Sequence, residues 1–591
     1  MIAFSKAGNL RLGPDNSRPQ YGYISWFAML FSAGMGIGIM YFGVAEPLSH
    51  FASPAIEGTV QKDKMAQLYT FFHWGLHAWA VYALIGLSLA YFSYRYKLPL
   101  SIRSSLYPIL KSKVNGPVGY LIDIFALCST FFGLTTSLGF GAVQIASGLT
   151  YLHLIPENSF FYQSIIIFFI IVGAIVSAVS GLGKGLKIAS EANILLALAL
   201  MLLVLFFGPS VYLLNAFSEG LGTYLNNFFA LAFNTFAFEE GSKPWFQNWT
   251  VLYWAWWISW SPFVGLFIAK ISRGRTIREF ILSVLLMPSL FIFLWMTVFG
   301  SGAIWMDQHV LHGSLSKLVN QPDTLLFHFL SHYPASSLLL CIAVLVIGLF
   351  FLTSADSGLL VMDGISSRNS PRSPKWQSVY WGIMLIILPL ALLKSGGLKA
   401  LQTMTLISAL PYSVVMLIVC YCLVRTLRQD LASYSATSPS VSRNFDPSHW
   451  KSRLEQILTF NQKEDIGKFM KDTVRPAFEM LLEELNEKGI ISKEKPRLSI
   501  ELLIHHDKVR NFRYGVVAEE KKVSDHLVED DKMPTVTSSI SYSPVTYYND
   551  GRRGNDIQYL SKMEIIADFL HEYERYILLL AEGKNEMLIE S

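Results

Sequence analysis

Residues 249–263 read WTVLYWAWWISWSPF and place five tryptophans and one tyrosine in a single predicted helix. Four of these rings recur at helical spacing and therefore share one face: Tyr253, Trp256, Trp257 and Trp260. A wall of indole rings suits a cation that cannot donate hydrogen bonds, because the ring faces carry negative charge density. Tryptophans in membrane helices also form interfacial belts and helix-packing surfaces, so the stripe by itself leaves both interpretations open.

The helix belongs to a chain with the composition of a polytopic membrane protein. Of its 591 residues, 52% are hydrophobic and 15% are charged, and the mean hydropathy is +0.39. Apolar runs long enough to span a bilayer recur along the chain, which predicts an all-α polytopic membrane protein. The runs cover residues 24–48, 68–92, 119–149, 160–180, 189–214, 249–270, 279–303, 336–362, 377–394 and 400–424.

An aromatic segment divides these ten runs into two groups of five. Residues 217–238 are amphipathic and interrupted by Asn226, Asn227 and Asn234, which favours a helix on the outer surface over an eleventh span. A five-plus-five arrangement is typical of inverted repeats. The predicted units are repeat 1 (24–214), an extracytoplasmic surface segment (215–248) and repeat 2 (249–428).

The distribution of positive charge predicts the orientation. With the N-terminal segment 1–23 in the cytoplasm, nineteen Lys and Arg residues fall in cytoplasmic connections and six fall outside. This bias fits the positive-inside rule in one orientation only, with both termini cytoplasmic. The six outside residues are Lys62, Lys64, Lys243, Lys317, Lys394 and Lys399.

Composition changes from apolar to globular after the last run. Residues 429–445 are rich in Ser, Asp and Asn and are predicted to form a linker to a cytoplasmic domain over residues 446–591. Periodicity and β-forming residues predict a small α+β domain there. Its predicted elements are helices over 463–488 and 561–580 and strands over 497–504, 512–517 and 540–548.

The first apolar run contains three alternate glycines, Gly34, Gly36 and Gly38, around Met35. Each weakens a helix by about 1 kcal/mol relative to alanine. Glycines in membrane helices often mark close helix packing. They also permit an unwound stretch at mid-membrane that exposes backbone groups to substrate and ion. Their place in the first helix of repeat 1, matching the tryptophan helix of repeat 2, favours the unwound stretch.

The second run, which includes FHWGLHAWAVY at residues 72–82, carries a second aromatic wall. Trp74, Trp79 and Tyr82 lie on one side of a predicted helix, so two walls on separate helices can close a cage around an ammonium group. His73 and His77 are four residues apart. The zinc-protease pattern requires Glu after its first His, where this chain has Trp74, so both histidines are interpreted as packing or hydrogen-bonded residues and not as part of an enzyme site.

The eighth run carries hydroxyl groups at Thr353 and Ser354, followed by Asp356. Hydroxyl and carbonyl oxygens are ligands that suit a sodium ion. Membrane Ser and Thr residues also bond back to their own helix, so this pattern leaves both interpretations open. An acidic residue within a membrane span is a functional candidate by default.

With these motifs together, the chain resembles the betaine/choline/carnitine transporter family. The matching stretches are GMGIG…GVAEPLSH (34–50), FHWGLHAW (72–79), WAWWISWSPF…ISRGRTIREF (254–280) and TSADSG (353–358). The cytoplasmic tail is similar to that of the bacterial choline-transporter branch. The resemblance implies a leucine-transporter-like fold with alternating access, in a bacterial cytoplasmic (inner) membrane.

The resemblance also implies the site residues. The backbone at Gly34–Gly38 is expected to meet the carboxylate or hydroxyl of the substrate. The coupling ion is expected to be Na⁺ or H⁺, with no other cofactor. The aromatic box maps onto Trp74, Trp79, Tyr82 and Trp257, and the rest of the pathway onto Trp256, Trp260 and Phe263. The candidate ion ligands are Met35, Phe350, Thr353 and Ser354.

The function implied by the resemblance is symport of choline or glycine betaine, which share a trimethylammonium group, with osmoprotection as one purpose. Two rivals stay open: a non-transporting sensor with the same fold, and a carnitine-type exchanger. Some proton-coupled choline transporters carry Asp where this chain has Gly38, which favours sodium here. Family members usually have two further helices before the glycine-rich span, which this chain is expected to lack, and they form homotrimers. The partners expected are the substrate and the lipid bilayer, with no nucleic acid.

Overall fold

The computed structural model consists of a helical membrane region and a small C-terminal domain with a sheet. The residues it describes are 2–14, 17–34, 36–56, 58, 60–180, 183–367, 374–435, 461–485, 489–492, 498–506, 511–522, 540–548, 554–558 and 560–581. Eight helices in this described part are long and apolar enough to cross a membrane. The predicted class, an all-α polytopic membrane protein followed by a small α+β domain, is confirmed.

The first half of the membrane region begins with a broken helix. Its two parts end and begin on either side of Met35, and Gly36 is in an extended conformation with φ −168° and ψ −175°. The helices of this half are α1 (Tyr23–Gly34), α2 (Ile37–Ala52), α3 (Lys62–Trp74), α4 (Leu76–Ala90), α5 (Tyr107–Leu110), α6 (Pro117–Tyr151), α7 (Phe160–Ser180) and α8 (Gly183–Phe207).

The segment predicted to lie on the surface starts earlier than predicted and is divided into several helices. The fifth apolar run was predicted to reach residue 214, but α8 ends before Gly208 and Pro209, because a proline restricts the residue before it to non-helical backbone. The helices that follow are α9 (Ser210–Asn226), α10 (Phe228–Phe233) and α11 (Lys243–Phe246). Phe229 and Phe233 expose 75% and 82% of their surface.

The second half begins with the tryptophan helix. A π-helical turn, Gln247–Val251, leads into α12 (Leu252–Ile271) without a break. Thr276 and Glu279 then form a capping box that starts the next helix. The remaining helices are α13 (Ile277–Met296), α14 (Gly302–His309), α15 (Pro322–Leu330), α16 (Ser336–Ser366) and α17 (Lys375–Ser435).

Eight long helices correspond to ten predicted runs for two local reasons. The first run is divided into α1 and α2, and neither part is long enough alone, whereas α3 and α4 together count as one span over Lys62–Arg95. The ninth and tenth runs lie on α17, whose backbone is non-helical at Gly396 and Gly397, so the two spans are joined at this kink. Five apolar runs thus precede the surface segment and five follow it. The helical part of α17 also extends through residues 429–435, which were predicted to be linker.

The C-terminal domain is an antiparallel four-stranded sheet in the order β1-β2-β3-β4, packed against helices. The strands are β1 (Gly489–Ser492), β2 (Ser499–Ile504), β3 (Phe512–Lys522) and β4 (Ile540–Tyr548); the helices are α18 (Lys463–Phe469), α19 (Arg475–Glu484) and α20 (Lys562–Ala581). The first strand was not predicted from the sequence. Phe478, Tyr514 and Phe569 are fully buried in the core between helices and sheet.

Candidate functional site

A cavity of about 250 Å³ lies in the membrane region, where the broken helix meets the tryptophan helix. Its lining contains all seven aromatic residues predicted for the site: Trp74, Trp79, Tyr82, Trp256, Trp257, Trp260 and Phe263. The backbone at Gly36 and Gly38 and the hydroxyl-bearing Thr353 and Ser354 complete the predicted part of the lining. Residues from distant parts of the chain thus converge on one cavity suited to a small ligand.

The rings around the cavity meet mostly edge to face. Trp74 and Trp257 have ring centroids 4.9 Å apart at an interplanar angle of 69°, and Trp79 and Tyr82 are 5.3 Å apart at 74°. Tyr82 and Trp257 close the group at 6.2 Å and 72°. Rings that cross at such angles present faces in several directions around one space. This is the arrangement that surrounds a compact cation with ring faces.

Hydrogen bonds from the indole nitrogens fix three of these rings. Trp74 Nε1 donates to Glu46 Oε2 at 2.6 Å, and Trp256 Nε1 donates to Ser137 Oγ at 3.1 Å. Trp257 Nε1 donates to the backbone oxygen of His73 at 2.8 Å. The polar edge of each indole is therefore directed into the protein. Ser137 was not predicted, because its role depends on a contact with a residue 119 positions away.

The broken helix brings backbone close to these rings. A Cβ atom added to Gly38 would lie 2.9 Å from Trp74 Cη2 and 3.0 Å from Trp256 Cη2, closer than normal carbon contacts allow. Gly36 precedes α2 and has no side chain to cap its first N–H groups. The unwound stretch predicted from the alternate glycines is thus present, at the cavity. Gly34 is the last residue of α1, and Met35 lies outside the described residues.

The hydroxyl side of the cavity matches the predicted ion ligands only in part. Thr353 Oγ1 donates to the backbone oxygen of Leu349 at 2.9 Å, which is the bond back to its own helix that the sequence left open. Its lone pairs stay available to an ion. Phe350 is buried, with 5% of its surface exposed, and is not among the described residues that line the cavity. Ser190 and Ser357 line the cavity and were not predicted.

A buried acid–histidine cluster lies behind the aromatic rings. Glu46 is fully buried, and its oxygen atoms are 2.7 Å from His73 Nδ1 and 3.2 Å from His50 Nε2. His73 Nε2 is 2.9 Å from Thr250 Oγ1. Glu46, His50 and His73 are close enough to one another to hold a metal ion, but their atoms already engage one another in hydrogen bonds. His77, which was predicted to be a packing or hydrogen-bonded residue, contacts the hydroxyl of Tyr224 at 2.8 Å.

The fold and site together define a helical membrane protein that encloses a small aromatic cavity at a helix break, as secondary transporters do. A family model described as betaine/carnitine/choline family transporter matches residues 1–432. The chain therefore belongs to this family, whose members are transporters and not enzymes.

Relatives that match nearly the whole chain include three bacterial transporters. An uncharacterized transporter of Haemophilus influenzae is 47% identical over 100% of this chain and 89% of its own length. The glycine betaine transporter of Acinetobacter baylyi is 41% identical over 98% of this chain and 88% of its own length. The high-affinity choline transport protein of Escherichia coli K12 is 38% identical over 98% of this chain and 87% of its own length. Both the membrane region and the C-terminal domain fall within these matches.

Proposed function

We propose that this protein imports choline or glycine betaine across the bacterial cytoplasmic membrane by alternating access. The observation that carries the proposal is the cavity whose rings include Trp74, Trp79, Tyr82 and Trp257. A trimethylammonium group cannot donate N–H hydrogen bonds, so it is held by ring faces, at about 2 kcal/mol or more for a good desolvated contact. Relatives named for glycine betaine and for choline support the same substrate class.

The other end of the substrate requires polar partners, and two groups near the cavity are proposed to supply them. Trp260 Nε1 is buried and has no hydrogen-bond partner among the described residues. The uncapped N-terminus of α2 begins beside Gly36, and helix N-termini favour negative charge. A hydroxyl or a carboxylate is an acceptor for either group. This pair of contacts therefore accommodates choline and glycine betaine alike.

Transport is proposed to be driven by a sodium or proton gradient. Thr353 and Ser354 line the same cavity as the rings, so an ion held by their oxygens and by nearby backbone would bind close to the substrate. Gly38 favours sodium over protons as the coupling ion, because some proton-coupled choline transporters carry Asp at this position. Both termini are proposed to lie in the cytoplasm, on the basis of the positive charge in the connections.

Uptake into proteoliposomes tests this function directly. Radiolabelled choline and glycine betaine are offered separately, each under an imposed sodium gradient, an imposed proton gradient or neither. Accumulation of one substrate under one gradient is the expected result and identifies the coupling ion. Exchange of preloaded substrate without a gradient would instead favour a carnitine-type exchanger. Binding without any accumulation would contradict transport and favour a sensor.

A second candidate function, osmotic regulation through the C-terminal domain, rests on a contact between the two parts of the chain. The ammonium of Lys97, in the connection after α4, lies 4.3 Å from the ring centre of Tyr547 on β4. Removing residues 440–591 is expected to change how uptake depends on osmolality. An unchanged dependence in the shortened protein, at equal amounts in the membrane, would exclude this role.

A further inference from the structure

Glu46, on α2, is a fully buried carboxylate surrounded by hydrogen-bond partners from other helices. One of its oxygens accepts from Trp74 Nε1 at 2.6 Å and from the hydroxyl of Tyr253. Its other oxygen lies 2.7 Å from His73 Nδ1 and 3.2 Å from His50 Nε2. A carboxylate only accepts hydrogen bonds, and indole N–H only donates, so the surroundings fit the ionised acid.

The two histidines satisfy this arrangement in their neutral forms. Neutral His73 can donate from Nδ1 to Glu46 and accept at Nε2 from the hydroxyl of Thr250, 2.9 Å away. His50 donates from Nε2 to Glu46, and its Nδ1 has no hydrogen-bond partner among the described residues. A proton added at His50 Nδ1 would therefore have no acceptor. With both histidines neutral, the cluster carries one net negative charge inside the membrane region.

This charge is connected to two rings of the aromatic box. Trp74 donates its indole N–H to Glu46, and His73, which Glu46 holds, accepts the indole N–H of Trp257 through its backbone oxygen at 2.8 Å. Tyr253, the remaining donor, lies 5.6 Å from both Trp74 and Trp257 between ring centres. Glu46 itself is not among the described cavity-lining residues. It therefore reaches a ligand only through these rings.

We propose that Glu46 is a positioning residue that gives the aromatic box its preference for a cation. An anionic acceptor on the indole N–H increases the electron density of the Trp74 ring and fixes its orientation, and both effects strengthen attraction for a cation over the ring face. The negative charge behind the ring adds a direct attraction that a low-dielectric interior screens weakly. This inference rests on the proposed function, since it assumes that the box holds a quaternary ammonium group.

The test compares choline with 3,3-dimethylbutan-1-ol, a neutral molecule in which carbon replaces the ammonium nitrogen. Binding of both to the full-length protein in detergent is measured by tryptophan fluorescence, for the wild type and for Glu46→Gln. Glu46→Gln is expected to weaken choline binding by about tenfold and to leave binding of the neutral alcohol nearly unchanged. Glu219→Gln, an exposed residue paired with Lys64 at the outer surface, is the matched control.

The possible outcomes distinguish a positioning role of Glu46 from a purely structural role and from no role. Equal weakening of both ligands would mean that Glu46 only supports the fold of the cavity, and no change for either would mean that it has no effect; both results overturn the proposal. If the wild-type protein binds neither choline nor glycine betaine, the proposed function fails first, and this inference fails with it.

Two further variants keep the test decisive if Glu46→Gln does not fold. Glu46→Asp keeps the charge and is expected to keep the preference for choline over the neutral alcohol. Trp74→Phe keeps a ring and removes the N–H donor to Glu46, so it is expected to reduce the preference by itself. Loss of the preference in Glu46→Asp together with its retention in Trp74→Phe would overturn the proposal.

Discussion

The helices that open the two predicted repeats line one cavity in different ways. The helix of repeat 1 is broken between Gly34 and Ile37 and brings backbone to the cavity, whereas α12 of repeat 2 continues from Leu252 to Ile271 and brings rings. A break in a membrane helix is tolerated where the freed backbone groups line a cavity or meet protein. A continuous helix needs no such compensation and can devote one face to large side chains. Backbone recognition and ring recognition are thus assigned to separate helices.

The largest effect is expected from removing a ring of the continuous helix. Trp257→Leu should abolish high-affinity uptake, because Trp257 contacts both Trp74 and Tyr82 and loses its ring face for the cation. The loss of about 2 kcal/mol or more corresponds to at least about thirtyfold weaker binding. Uptake and binding of choline and glycine betaine are measured at equal surface expression.

The control for this variant lies on the same helix. Trp254 packs against Phe72 at 5.1 Å between ring centres and is not among the described cavity-lining residues. Trp254→Leu is therefore expected to keep substrate affinity. Near-normal affinity of Trp257→Leu would refute the aromatic box.

A smaller effect is expected from adding a side chain to α2, the helix that brings backbone to the cavity. Gly38→Ala adds a methyl group where a Cβ would lie 2.9 Å from Trp74 and 3.0 Å from Trp256, so the rings must shift to accommodate it. We expect binding about tenfold weaker, since overpacking typically costs about 1–3 kcal/mol. Gly222→Ala, in α9, meets no atom within 4 Å and is the control. Unchanged affinity for Gly38→Ala would show that the two walls do not touch in the substrate-bound state.

Thr353, which carries a hydroxyl group at the cavity, allows a third test that is selective for the ion requirement of uptake. Thr353→Val keeps the shape of the side chain and removes its oxygen, so it should raise the sodium concentration for half-maximal uptake several-fold, as expected for the loss of one ligand oxygen. Thr403→Val is matched, because Thr403 Oγ1 makes the same bond to its own helix at 2.8 Å but is exposed on α17. An unchanged sodium requirement would remove Thr353 from the ion site.

Local spacing along the sequence predicts much of this cavity. The rings of α12 share a face because helical periodicity fixes it, and alternate glycines predict the break before α2. The cluster around Glu46 was not predictable in the same way, because its partners His73 and Tyr253 lie 27 and 207 positions away. The break at Gly75, between α3 and α4, also escaped prediction. A Cβ there would lie 2.3 Å from Phe293, a contact that only tertiary packing creates.

The smallest effect is expected from Trp260, whose variant tests whether α12 contributes a hydrogen-bond donor to the substrate as well as aromatic rings. Trp260 Nε1 has no partner among the described residues, and Trp260→Phe keeps a ring while removing this donor. Binding of choline and glycine betaine should weaken about threefold if the N–H meets their oxygen atoms, which corresponds to a net hydrogen bond of about 0.7 kcal/mol. Tetramethylammonium has no oxygen, so its binding should not change. Equal weakening for tetramethylammonium would place Trp260 in the cation cage, and the continuous helix would then contribute rings alone.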